Sequence, residues 1–297
     1  MTELTIIIPS YNMQSGAIAA IESILSQDII TDIILVDDCS EPAIYLPDRL
    51  KKKKNITLLR TKINGGAGHA RNIGVEYSKT SWISFLDSDD ILLPDTLAKR
   101  LKFAKNQPCS KSKDRAMIVA CGWIEPIKSS QQFRTRIPNP ANTPVQFASG
   151  CWYCPGSCII AKREIFLTHP FDTNLRRLED YDMSIRLGLA GAELITMPLP
   201  AVKIIPGVRN NPRLISKCAK LIRTKHCPAA SSHRAVWGAI NAYLNLEMSS
   251  AHFRDSNFAS AIIRIMVSIV YLPRLRRHFS PGWIIRYPID ANRNQIQ

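Results

Sequence analysis

Trp82-Ile83-Ser84-Phe85-Leu86-Asp87-Ser88-Asp89-Asp90 is the stretch that decides the fold. Five residues suited to a buried strand run straight into four that carry only hydroxyl and carboxylate groups. Four further apolar runs share the first 125 residues: Leu4 to Ile8, Ile33 to Val36, Ile56 to Leu59 and Met117 to Cys121. Helix-like stretches lie between them, at Gly16 to Ser26, Ala67 to Tyr77 and Thr96 to Phe103. This alternation predicts an α/β fold, a mostly parallel sheet with helices on both faces. In such open sheets ligands sit beyond the carboxyl ends of the strands. Here three ends are polar, namely Pro9-Ser10-Tyr11-Asn12, Asp37-Asp38 and Asp87-Ser88-Asp89-Asp90, which predicts an acidic crevice along one rim.

Each motif has a chemical reading. Two carboxylates two residues apart, Asp87 and Asp89, suit a hard divalent cation and, through it, a nucleoside diphosphate. Asn64-Gly65-Gly66-Ala67-Gly68, followed by His69-Ala70-Arg71, puts a glycine-rich turn at a helix N-terminus, where backbone N–H groups favour an anion. This is not the dinucleotide fingerprint, because the turn after the first strand is Pro9-Ser10-Tyr11-Asn12 and lacks its glycines. Glu179-Asp180 opens a further helix and supplies candidates for a general base, whereas Asp182 reads as one half of an i,i+4 pair with Arg186.

Taken together, Thr5 to Asn12, Val36 to Ser40, Asn64 to Gly74, Phe85 to Asp90 and Leu178 to Leu187 resemble the inverting family-two glycosyltransferases of the GT-A fold. The resemblance covers about residues 4 to 200, and Pro155 to Arg163 is similar to the family's acceptor-side stretch. It implies that Pro9, Tyr11 and Asp38 hold the base and ribose of a nucleotide-sugar donor, with Asp37 supporting that turn. Gly65 and Arg71 would lie along the nucleotide, Asp87 would take the ribose, and Asp89 would bind Mg2+ or Mn2+. Asp180 would be the catalytic base, and a glycan or lipid-linked acceptor in surface polysaccharide or lipopolysaccharide synthesis would receive the sugar, by family habit from a UDP donor. Many relatives carry an Arg and a His after the Glu-Asp helix. Here that segment offers no His, and Lys203 or Arg209 would be the diphosphate contact.

The charge is uneven. Residues 1 to 200 hold 24 basic and 21 acidic side chains, whereas residues 201 to 297 hold 15 and 3, a net +12 within a chain total of +15. We therefore divide the chain into a catalytic domain, 1–205, and a basic helical extension, 206–297, with helices expected at Pro212 to Arg223, Arg234 to Glu247 and Asn257 to Tyr271. A near-neutral main domain speaks against nucleic acid. Two readings of the tail stay open: a helix on an anionic membrane, or a helical hairpin packed on the main domain with a solvated basic face. No export signal opens the sequence, which predicts a cytoplasmic protein with reduced thiols. Cys151, Cys154 and Cys158 have a spacing that could serve a metal, yet no fourth ligand accompanies them, and packed thiols are the plainer reading. Residues 125 to 150 read as a long loop. The rival to an enzyme is a noncatalytic scaffold that keeps the nucleotide fold, or a membrane-associated binding protein.

Overall fold

All seven residues of β1 (Leu4–Ser10) are buried, as a strand between two parallel neighbours requires. A computed structural model describes residues 2–108, 116–127, 132–150, 155–205, 211–231 and 234–271. In it β1 pairs in parallel with β2 (Asp32–Asp37) on one side and β4 (Trp82–Phe85) on the other, and β3 (Ile56–Arg60) lies beyond β2. The mostly parallel sheet expected from the sequence is present, with helices α1 (Gln14–Leu25), α2 (Asp48–Lys51), α3 (Ala67–Tyr77) and α4 (Leu97–Lys105) in the connections. The packing of α3 on β1 is close: a side chain at Gly74 would place its Cβ 2.4 Å from Ile7 Cγ2.

Past β4 the sheet becomes mixed. Strand β8 (Ile159–Lys162) runs antiparallel between β4 and β6 (Met117–Pro126), β9 (Glu193–Lys203) runs parallel to β6, and the short β5 (Ile91–Leu92) closes that edge. The order is β3-β2-β1-β4-β8-β6-β9-β5, with β7 (Phe133–Arg136) paired to β6. Residues 125 to 150 are therefore not simply a loop. They hold β7 and also α5 (Pro144–Ala148), which starts on a capping box between Thr143 and Gln146 with proline in its first turn. Strand β9 was hidden by Pro198 and Pro200. The ladder absorbs them by a register shift against β6 around Gly122.

Helices α6 (Arg163–Thr168), α7 (Glu179–Leu189), α8 (Pro212–Ser231), α9 (Arg234–Arg254) and α10 (Phe258–Tyr271) complete the chain; α8 and α9 run longer than the sequence suggested. Two hydrophobic cores result. One fills the sheet; the other lies among α5, α7, α8 and α9. Helix α7 serves both, sending Met183 and Leu187 into the first and Tyr181 and Ile185 into the second. Among the described residues no helix is long and apolar enough to cross a membrane.

Candidate active site

The rim begins where β1 and β2 end. Pro9 is buried within β1, and Tyr11 stands just past it with its ring half exposed. Asn12 adopts a left-handed φ of 53° and ties the two loops together, its N–H donating to Ser40 Oγ at 2.8 Å and its Oδ1 accepting from Glu41 N–H at 2.9 Å. Beneath this loop, Asp37 accepts from the N–H groups of Ser40 and Ile44 and from Arg60. Burial pushes this carboxyl upward, but those hydrogen bonds outweigh it and hold it below the ordinary range.

Asp38 is also occupied within the protein. Its carboxylate, 2% exposed, accepts from Gly65 N–H at 3.0 Å, Gly66 N–H at 2.6 Å and Thr61 Oγ1 at 3.2 Å. The glycine turn was expected to offer its amides to an external anion; two of them instead hold Asp38. Glycine is needed here because Gly66 sits at φ 91°. Arg71, expected along the nucleotide, is turned inward as well. Its guanidinium, 5% exposed, donates to Asp87 Oδ1 at 2.7 Å and to Glu179 Oε1 at 2.9 Å. It lies 5.3 Å from the centre of the Phe171 ring, so one buried cation joins the β4 end to the start of α7. Burial works against its charge, but the two carboxylates win and hold it protonated.

The acidic loop after β4 gathers three carboxylates. Oxygens of Asp87, Asp89 and Asp90 lie within 4.8 Å of one another. Asp90 is buried; its Oδ2 accepts from Ser157 Oγ at 2.6 Å and its Oδ1 from Ile205 N–H at 3.3 Å. Ser157 Oγ in turn accepts from Asp87 N–H at 2.9 Å. Burial, reinforced by the charges of Asp87 and Asp89, pushes the Asp90 carboxyl up to about 8. So much negative charge in so small a volume fits a divalent cation: three oxygen donors are of the hard type that Mg2+ or Mn2+ takes, and a cation would relieve their mutual repulsion. The loop also presses on α1, where a Cβ at Gly16 would fall 2.3 Å from Ser88 O. Ser157 and Gly16 were not singled out as site residues from the sequence. Both act through loops distant in the chain, and no local pattern marks them.

Helix α7 presents the last element. Leu178, just before it, is held at φ 64°, a left-handed conformation that costs a leucine about 1 kcal/mol or more. Glu179 faces Arg71, and Asp180 Oδ1 accepts from Tyr181 N–H at 2.7 Å. Burial, together with the charge of Glu179, lifts the Asp180 carboxyl to about 7, despite the opposing pull of Arg71. Asp182 is more than half of an i,i+4 pair. Fully buried, it accepts from Arg186 and Lys225 at 2.9 Å each and meets His226 Nε2 at 2.8 Å. Burial is outweighed by these partners, which hold it down at about 2.

Lys203 Nζ sits 4.9 Å from the centre of the Phe133 ring; Arg209, Cys151 and Cys154 fall outside the described residues. Cys158 is a buried free thiol.

With this geometry in place, the chain can be set beside known proteins. Residues 5–168 match the family model described as Glycosyl transferase family 2. An uncharacterized glycosyltransferase of Haemophilus influenzae is 30% identical over 187 residues, covering 62% of this chain and 61% of that protein. This chain thus matches about three fifths of that relative's length. The amylovoran biosynthesis glycosyltransferase AmsB of Erwinia amylovora is 27% identical over 207 residues, covering 66% of this chain and 67% of its own. Among solved structures, S. aureus TarS 1-349 in complex with UDP-GlcNAc superposes with a TM-score of 0.55 at 13% identity, covering 92% of each chain. At that identity the likeness speaks for the fold, which is GT-A.

Proposed function

The chain belongs to glycosyl transferase family 2, and from that premise we propose that it moves a sugar from a nucleoside-diphosphate donor, a UDP-sugar, to a hydroxyl of a glycan or lipid-linked acceptor, with inversion at the anomeric carbon. The observation that carries this reading is the Arg71 bridge. By holding Asp87 and Glu179 on one guanidinium, it brings the acidic loop and the base-bearing helix into a single site. The amylovoran relative and the UDP-GlcNAc complex support the polysaccharide setting and the UDP donor.

In this reading Pro9 and Tyr11 border the base of the donor, and Asp38 shapes that pocket by fixing the Gly65-Gly66 turn. Asp87 faces the ribose, with Arg71 as a positioning residue behind it. Asp180 accepts the proton of the acceptor hydroxyl while the oxygen bonds to the anomeric carbon. The bond to the diphosphate breaks on the opposite face, so the configuration inverts in one displacement. A carboxyl lifted to about 7 is well matched to that proton at neutral pH. Asp89, with Asp87 and Asp90 beside it, would hold Mg2+ or Mn2+, which when bound neutralises charge on the departing diphosphate. An acceptor on a lipid carrier places the protein on the inner face of the cytoplasmic membrane.

The test is nucleoside diphosphate release from a panel of nucleotide sugars with Mn2+, with and without cell-envelope lipid extract. Release that rises with extract and falls in Asp180→Asn and Asp89→Ala supports the reading. Silence with every donor, together with no UDP-induced thermal shift, favours a noncatalytic scaffold.

A further inference from the structure

Helix α10 is built inside out. The side turned to α9 carries Ala261, Arg264 and Ser268. Ser268 Oγ donates to Ala242 O at 2.9 Å, Ser249 Oγ of α9 donates to Ala261 O at 2.8 Å, and Arg264 reaches Asn245 Oδ1 at 3.4 Å. The outward side carries Ile262, Ile263, Ile265, Met266, Ile269 and Val270, each between 42% and 74% exposed. At about 100° per residue these six span roughly half of the helix circumference. In water a helix does the reverse, burying its apolar stripe and showing its polar one. Small residues and hydrogen bonds facing the neighbouring helix, with hydrocarbon facing out, is the arrangement favoured where the surrounding medium is itself apolar.

Length and charge identify that medium. Fourteen residues make a helix about 21 Å long, short of the roughly 30 Å hydrocarbon layer, so α10 can lie along a bilayer but not cross it. Its only charged residue, Arg264, points inward, and the apolar patch continues through the edge-on ring pair of Phe253 and Phe258. Directly after the helix the sequence carries Arg274, Arg276 and Arg277, within a segment of net +12. Two copies meeting on this face would bring two such segments together, which charge opposes. An anionic surface satisfies both the hydrocarbon and the arginines.

We propose that the outward face of α10 docks on an anionic lipid bilayer, seating its isoleucines, Met266 and Val270 at the boundary of headgroups and acyl chains. That docking delivers the active site to a lipid-linked acceptor rests on the functional reading above; the docking itself does not.

The full-length protein is sedimented with phosphatidylethanolamine–phosphatidylglycerol vesicles and, in parallel, with phosphatidylcholine vesicles. It should pellet with the anionic vesicles and much less with the neutral ones. Ile263→Glu combined with Met266→Glu should lower partitioning by about tenfold or more, whereas Ile263→Leu with Met266→Leu should retain it. Both positions are exposed, so both variants should keep the wild-type melting temperature and its shift with UDP and Mn2+. The proposal is overturned if the wild type stays in solution, if both vesicle types bind it equally, or if the glutamate pair binds as well as wild type. It is also overturned if the glutamate pair turns a dimer into monomers without any vesicle binding, since the face is then a contact between copies. Vesicle binding without any UDP shift leaves the docking intact and counts against the donor reading.

Discussion

In the sheet core, neighbours in space are strands whose apolar runs can be read one at a time. Beside the helical core, α7 is held by polar groups far apart in the chain: Asp182 finds Lys225 and His226, 43 and 44 positions away. The difference bears on the site, because α7 belongs to both cores and carries Asp180 at its first turn. Arg71 grips the start of α7 from the sheet side through Glu179, while Lys225 and His226 grip it from α8 through Asp182. On the proposed reading, α8 is therefore part of what positions Asp180.

Removing the base itself should have the largest effect. Asp180→Asn keeps a hydrogen-bond acceptor for Tyr181 N–H but no basic oxygen at neutral pH. Turnover should fall by about 10²- to 10⁴-fold, measured as nucleoside diphosphate release, with the UDP thermal shift unchanged. Next comes the sheet-side grip: Arg71→Ala leaves Asp87 and Glu179 facing each other without a counter-charge. Urea denaturation should show a loss of about 3–5 kcal/mol.

The grip from α8 should be weaker. The Asp182 carboxyl is shifted from 3.8 down to about 2, which at about 1.4 kcal/mol per pH unit corresponds to about 2 kcal/mol. A depressed carboxyl stabilises the fold above its unfolded value and loses that contribution as pH falls through its folded one. Wild-type stability should therefore drop between about pH 4 and pH 2, and Asp182→Asn should be less stable at neutral pH and lose less stability across that window. If α8 positions the base, the same variant should lower kcat several-fold while leaving UDP affinity in place; equal loss of both would mean the helical core is only structural support. Smallest of all, Ile263→Glu on α10 should change folding stability by no more than about 0.5 kcal/mol.

The sequence made much of the sheet and the site legible, for physical reasons. Buried parallel strands need unbroken apolar runs, so β1 to β4 and β6 could be found from composition alone, and their polar ends marked the rim. Asp87 and Asp89 stood out because they follow such a run directly, whereas Asp180 stood out through the resemblance of the Glu179-Asp180 helix start to the family's motif. The partners of Asp38 and Arg71 were not legible: both were expected on the ligand, and both are engaged with protein groups that only the fold brings near. Strand β9 escaped because its two prolines contradict a strand unless a bulge receives them. Helix α10 was found, but which side faced inward could not be read, since its apolar residues far outnumber its polar ones.

The most direct test of the account is the rate of nucleoside diphosphate release followed through the neutral pH range in wild type and Asp180→Asn. Burial beside Glu179 raises the Asp180 carboxyl to about 7, so the base is present above that pH and lost below it. The wild-type rate should rise with pH through a midpoint near 7 and level off, and the variant should show a low rate with no such step. A variant as active as wild type, with the same profile, would contradict the assignment of Asp180 as the base.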